Sequence, residues 1–237
     1  MYHQVGEPAP RGTPYRGLTV STARFRQQMV WLKRLGYTGL AMRDVMPYVR
    51  GEREGKVVGL TFDDGFQNVF DHAKPVLDAL GFTATNYFLP DLLGTSNVWD
   101  EAAGVPASPL MNVDQMRAWA AAGHEIGSHT LDHANLNTVT DEEAVRQIAQ
   151  SRHELEALAQ VCVTAFCYPY GHHSPAHRHM AKQAGYTNAT LTSRGRACAA
   201  DDPFALPRIT VARSTHLLQF LQKCLTGYED RRRRPVK

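Results

Sequence analysis

A chain of 237 residues, 43% of them hydrophobic, can bury a real core and hold one large α/β domain or two small ones. Its formal charge is +3, but five basic residues crowd into Arg231–Lys237, so the rest is near neutral, which argues against a nucleic-acid-binding body. The four cysteines, Cys162, Cys167, Cys198 and Cys224, include no CxxC pair, and neither a zinc ribbon nor a disulfide scaffold is indicated.

Short apolar strands alternate with amphipathic helices along the chain, which favours a parallel sheet or a βα barrel. Met1-Tyr2-His3-Gln4-Val5 reads as the end of a strand. Over 24–35, Phe25, Met29, Leu32 and Leu35 fall at helical spacing, and Gly36 stops the run. Residues 56–62 form a compact apolar strand. Pro75 suits the first position of a short helix that ends at Leu80, before Gly81. A strand follows over 84–89, a helix over 113–122 and a brief strand over 125–128. A long helix spans 141–160 with Thr140 as its cap. A strand over 165–168, a helix over 175–184, two strands near 189–192 and 208–211, and a last helix over 216–225 complete the pattern. Cys162 and Cys167 sit in an apolar stretch and read as small core residues. Trp119 lies in a helical apolar pattern and reads as core, while Trp99, in the irregular segment 94–109, is the better sugar contact.

Residues 1–228 are expected to form one domain, followed by a basic tail over 229–237. That tail is a solvated end or a segment drawn to an anionic membrane surface. No apolar run is long enough to span a bilayer and no charged-then-apolar leader opens the chain, so a cytoplasmic protein is expected. The abrupt start inside a strand leaves room for a leader upstream of Met1.

The polar residues fall where chemistry would need them. Asp63, Asp64, His129, His133 and the loop 168–171 each follow a strand, and in parallel α/β folds strand C-terminal ends share one rim. Thr61-Phe62-Asp63-Asp64-Gly65 ends a strand on two adjacent carboxylates, costly to bury without a partner such as a metal. An isolated Asp-Asp-Gly would more often be a helix-capping turn. His129 and His133, in Gly127-Ser128-His129-Thr130-Leu131-Asp132-His133, are four apart, so one helical turn would bring both imidazoles to one face. With one carboxylate they make a His₂Asp set that leaves a position open for water. Alone, the pair could equally be surface histidines. Ala165-Phe166-Cys167-Tyr168-Pro169-Tyr170-Gly171 is a proline-fixed loop able to aim a main-chain N–H at developing negative charge. His172, His173, His177 and His179 lack an associated carboxylate or thiolate and read as a solvated loop and helix face.

These three segments, in this order, resemble the polysaccharide deacetylase (NodB-homology) family, carbohydrate esterase family four. The resemblance runs from the first residues to about Val211. It implies a distorted (β/α) barrel with seven or so parallel strands, and removal of N-acetyl groups from N-acetylhexosamine glycans. It also implies Asp63 as catalytic base, Asp64, His129 and His133 as ligands of zinc (cobalt or nickel suit the same donors), and the Tyr170 amide at the oxyanion. Two positions depart from the family pattern. Where many members carry an arginine that orients the aspartate, this chain has Cys167, and Arg208 is expected to supply the guanidinium instead. The late catalytic histidine is missing. In a subgroup resembling poly-N-acetylglucosamine deacetylases an early Tyr-His takes its role, which makes His3 the expected general acid, with His216 as the alternative. The substrate is expected to be an N-acetylated glycan or glycolipid. A deacetylase or deformylase of a lipid-linked amino sugar, and a non-catalytic carbohydrate-binding relative, are the competing readings.

Overall fold

The apolar runs become strands and the segments between them cross back as helices, in a computed structural model that describes residues 1–233. In chain order the elements are β1 (Gln4–Val5), β2 (Thr19–Val20), α1 (Thr22–Arg34), β3 (Thr38–Leu40), α2 (Met42–Val49), β4 (Val57–Gly59), β5 (Thr61–Phe62) and α3 (Lys74–Leu80). There follow β6 (Thr85–Phe88), α4 (Val113–Ala121), β7 (Glu125–Ser128), α5 (Asp141–Ala159), β8 (Ala165–Cys167), α6 (Pro175–Gln183), β9 (Asn188–Arg194), β10 (Leu206–Arg208) and α7 (Leu217–Leu225).

The main sheet has six strands in the order β10-β9-β8-β7-β6-β5, and every neighbouring pair is parallel. The expected strand over 56–62 is broken at Leu60. Its first half, β4, pairs with β3, and its second half, β5, pairs with β6. The first residues bridge what would otherwise be a gap between the sheet's two ends. Tyr2 donates its amide to the Thr61 carbonyl (2.9 Å) and accepts from the Asp63 amide (3.1 Å). On the other side Met1 nitrogen donates to the Ile209 carbonyl (2.9 Å), and the Val211 amide donates to Met1 (3.0 Å). The curled sheet and this bridging segment make the distorted (β/α) barrel, with His3 at its rim.

Helices cover the outside because their apolar stripes match the sheet's outer face. Phe25, Met29 and Leu32 of α1, Leu77 of α3, Trp119 of α4 and Ile148 and Leu155 of α5 are fully buried in one core with Phe62, Phe88 and Phe166. Trp119 also donates its indole N–H to the Glu125 carbonyl (3.0 Å). The start of α2 is built differently. Ala41 offers no capping side chain, and strand residues cap the helix instead: Thr83 and Thr85 hydroxyls accept from the Ala41 and Met42 amides, and Glu125 accepts from Arg43 (3.0 Å).

Some expectations change here. The strand drawn over 208–211 lies at Leu206–Arg208, and α7 begins after His216, whose Nδ1 caps it by accepting from the Gln219 amide (3.3 Å). Cys162 is exposed, and only Cys167 is buried. His177 is buried rather than solvated, because its Nδ1 accepts from the Ser174 amide (3.2 Å) and closes a capping box at the start of α6. Nor does packing change at residue 229. Glu229 is buried between Arg194 (2.9 Å) and Lys223 (3.2 Å), and Arg233 pairs with Asp201, so the described part of the expected tail lies on the barrel. The last four residues of that tail, 234–237, lie outside the described residues. Among the described residues no helix is long and apolar enough to cross a membrane.

Candidate active site

Strand β5 ends in the two carboxylates, and the chain turns at once because Asp64 and Gly65 both take positive φ (75° and 70°). A Cβ on Gly65 would stand 3.0 Å from the Phe88 ring, so glycine answers both the turn and the close approach. Six non-glycine residues among those described have positive φ. Asp64, Thr130, His133 and Tyr170 all belong to this rim. Such backbone costs on the order of 1–3 kcal/mol per residue and persists where the surroundings dictate it.

The turn redirects the two carboxylates to different partners. Asp64 Oδ1 lies 3.3 Å from His129 Nε2 and 3.5 Å from His133 Nε2. These three residues are buried, with their ligand atoms all within 4.8 Å of one another. The histidines meet through a turn and not through the helical turn that their spacing suggested. The His133 amide donates to Thr130 Oγ1 (3.1 Å), and the two rings stand at 74° with centroids 5.0 Å apart.

A cation fits this arrangement on chemical grounds. His129 Nδ1 lies 2.7 Å from the Cys167 carbonyl, which can only accept, so Nδ1 carries the proton. In the neutral ring Nε2 is then a bare acceptor facing the carboxylate oxygen of Asp64, itself buried without a hydrogen-bond donor. Acceptors turned on one another in a dry site call for a positive charge between them. When the imidazoles instead carry protons on Nε2, burial still pushes the Asp64 carboxyl up, but hydrogen bonds and charge from the two rings outweigh it and hold the group well below the usual carboxylate range, so either a proton or a cation fills the gap. Among the described residues His133 Nδ1 has no hydrogen-bond partner; the ring is held instead by Trp99 stacked on it (4.5 Å, 18°) and the edge of Tyr170 (4.6 Å, 80°). Trp99, expected as a sugar contact, thus spends one face on a histidine.

Asp63 takes the other direction. Arg208 grips it bidentately, Nη1 to Oδ1 at 2.6 Å and Nη2 to Oδ2 at 2.7 Å. The guanidinium is itself fixed: Nε donates to the Leu191 carbonyl (2.8 Å), Nη1 to Thr61 Oγ1 (3.2 Å) and Nη2 to Cys167 Sγ (3.2 Å), above the Tyr87 ring. Burial pushes the Asp63 carboxyl up, and the charge and hydrogen bonds of Arg208 overcome it, so the group sits below the ordinary range. Cys167 therefore does not replace the guanidinium, which arrives from β10 across the barrel. His3 Nε2 lies 3.9 Å from Asp63 Oδ2, while His216 sits exposed at the start of α7.

Asp64 and His3 open into a cleft of about 240 Å³. Its outer walls come from the loop 7–18, with Tyr15 and Arg16, which the sequence reading did not single out, and from residues 100–108, with Asp100, inside the irregular segment 94–109. The run Pro8-Ala9-Pro10-Arg11-Gly12-Thr13-Pro14-Tyr15-Arg16-Gly17 was the available signal. Burial raises the Asp100 carboxyl, with Asp64 adding to the effect. Tyr170 brings its ring to the site from the loop after β8, and its carbonyl accepts from Thr192 (3.1 Å).

Comparison with known proteins agrees with this geometry. Residues 50–189 match the family described as polysaccharide deacetylase. A Bacillus subtilis protein, YxkH, named as a polysaccharide deacetylase, is 27% identical over 214 residues, covering 90% of this chain and 70% of that protein. The poly-β-1,6-N-acetyl-D-glucosamine N-deacetylase of Staphylococcus epidermidis is 24% identical over 220 residues, covering 91% and 75%. Among solved structures, the Streptococcus pyogenes deacetylase PplD, in complex with acetate, superposes with a TM-score of 0.83 at 25% identity, covering 94% of this chain and 96% of that one. IcaB from Ammonifex degensii shares the fold (TM-score 0.74, 22% identity, 92% of each chain). With a matched family profile across more than half its length and the barrel that goes with it, the chain belongs to the polysaccharide deacetylase family.

Proposed function

We propose that this chain hydrolyses the N-acetyl groups of N-acetylhexosamine residues in a glycan, with a divalent metal ion. One observation carries the reading: Asp64, His129 and His133 converge beside the Asp63 that Arg208 grips, and Asp64 opens into a cleft. The named activity of the Staphylococcus epidermidis relative supports the substrate class. Asp64, His129 and His133 are the metal ligands in this reading, and zinc, cobalt or nickel suits the donor set. When bound, such an ion supplies a water of lowered pKa and polarises a carbonyl.

The chain's own groups do the remaining work. Asp63, kept ionised and aimed by Arg208, accepts the proton of the attacking water. The Tyr170 amide donates to the oxyanion as it develops. His3 protonates the departing sugar nitrogen, so that water is divided between acetate and a free amine. Tyr15, in the cleft lining, and the face of Trp99 turned away from His133 present aromatic surface to the sugar chain.

The test is acetate release from a panel of N-acetylated oligosaccharides, with metal content measured on the same samples. Chelation should abolish turnover and added zinc restore it. Asp63→Asn should keep its metal yet lose about 10²–10⁴-fold in kcat. Full activity in metal-free protein, or in Asp63→Asn, would sink the proposal.

A further inference from the structure

The loop 7–18 has a second side. Facing away from the reaction centre, it borders a surface hollow of about 520 Å³ that shares Glu7 and Arg16 with the active-site cleft. Three arginines from separate elements line it: Arg16 before β2, Arg24 in the first turn of α1, and Arg213 between β10 and α7. All three are half-buried. Two side chains are tied to the main chain, Arg16 Nε donating to the Ala9 carbonyl (2.6 Å) and Arg24 donating to the Arg213 carbonyl, while the backbone of Arg213 is held by its amide donating to Gly17 (2.7 Å).

Their charges are not answered in the same way. Arg146, Arg178 and Arg194 sit in ion pairs, whereas Arg16, Arg24 and Arg213 make none among the described residues. Glu7 is the one acidic residue in the lining, which leaves two positive charges uncompensated. Like charges gathered on a half-dry surface repel, and fixing the stems of Arg16 and Arg24 in place adds an entropic cost. A group that neutralises them from outside would relieve the repulsion. The guanidinium fork matches the oxygens of phosphate and carboxylate.

We infer that this hollow is an anion subsite of the active-site cleft. It takes an oxyanion group, phosphate or carboxylate, carried by the glycan at a sugar other than the one being deacetylated. The inference rests on the proposed glycan substrate and adds a charge requirement to it. A chain lying across the cleft passes Tyr15 and meets Arg16, the basic residue common to both hollows.

Matched N-acetylated oligosaccharides that are neutral, phosphorylated or carboxylated test it. The holoenzyme should show a KM about tenfold lower for at least one anionic series, in keeping with a charge-assisted hydrogen bond, and added salt should erode the difference. Two variants probe the site without touching the reaction centre. Arg213→Gln keeps the main-chain groups that Arg24 and Gly17 use, and Ser214→Glu adds a negative charge at an exposed position of the lining. Both should abolish the anionic preference while leaving kcat/KM on the neutral series unchanged. Calorimetric binding of the same three series to the holoenzyme and to both variants stands apart from turnover. If no acetate is released, the hydrolase reading fails, but a lost anionic preference in the variants still supports the subsite. Equal affinity for neutral and anionic chains in the holoenzyme, or a preference that survives in both variants, overturns it.

Discussion

Replacing Arg208 by Met should damage stability and chemistry together, by an amount the geometry sets. The guanidinium makes two short bonds to Asp63 and one each to Leu191, Thr61 and Cys167, all in buried surroundings. Breaking such a pair from one side leaves a buried carboxylate alone, which costs roughly 3–5 kcal/mol, or about 10²–10⁴ in the folding equilibrium. The sign of the pH effect follows from the same contact. Arg208 holds the Asp63 carboxyl below the usual range, so its contribution is present above the unfolded value near ~3.9 and fades only as pH falls through the lower folded value. In Arg208→Met burial loses its main opponent, with only the weaker pull of His3 and His129 left, so the acid limb of kcat/KM should move to higher pH. Urea denaturation of metal-free wild type, Arg208→Met, Asp63→Asn and the double variant would isolate the pair. Loss of the guanidinium should cost much less in the Asp63→Asn background. An equal cost in both backgrounds, or an unmoved acid limb, would refute the assignment of Arg208 as the group that orients and ionises Asp63.

His3→Ala should lower kcat far more than His216→Ala, because His3 stands 3.9 Å from Asp63 whereas His216 caps a helix. Steady-state rates on one substrate decide it, and the reverse ranking would place the acid in the C-terminal segment. Glu125→Ala should cost about 1–3 kcal/mol in urea unfolding, because it strips a cap from α2 and a 2.5 Å partner from Thr85. Glu125→Gln should cost less. Since burial raises the Glu125 carboxyl, its contribution is fullest below the unfolded value near ~4.3 and is lost as pH rises through the folded one. The gap between wild type and Glu125→Gln should therefore narrow from acid to neutral pH, and a gap that widens would contradict the burial argument.

Those elements whose signals are local were legible in the chain. The strand over 125–128 and the long helix capped by Thr140 fall where pattern and cap place them, since each is decided by residues within a turn or two. Helix α2 and strand β3 were not legible. β3 has three residues, Thr38-Gly39-Leu40, and α2 carries Pro47 inside and no cap of its own. What starts α2 is Thr83, Thr85 and Glu125, up to 82 residues away, and no window of sequence holds both the helix and its caps.

The candidate site divides along the same line. Asp63-Asp64 and His129…His133 were visible because a strand end concentrates groups that are costly to bury, and two such groups four residues apart have to meet something. Even there the local route was misread. The spacing suggested a helical turn, while the backbone uses positive φ at Thr130 and His133, a choice no residue identity there announces. Arg208 and His3 were reachable only through a family resemblance, because they stand 145 and 60 residues from Asp63 and neither carries a motif of its own. The substitution at Cys167 has a physical consequence too. A strand-end arginine there would arrive from β8, next to His129; with a small thiol in that place, Arg208 crosses from β10, donating to the sulfur and to Asp63 at once. The guanidinium then comes to the base from the side of the barrel that the first three residues close. Through Tyr2 the strand bearing Asp63, and through Met1 the segment after β10, are joined to His3, so one piece of backbone sets the proposed acid against the proposed base and its anchor.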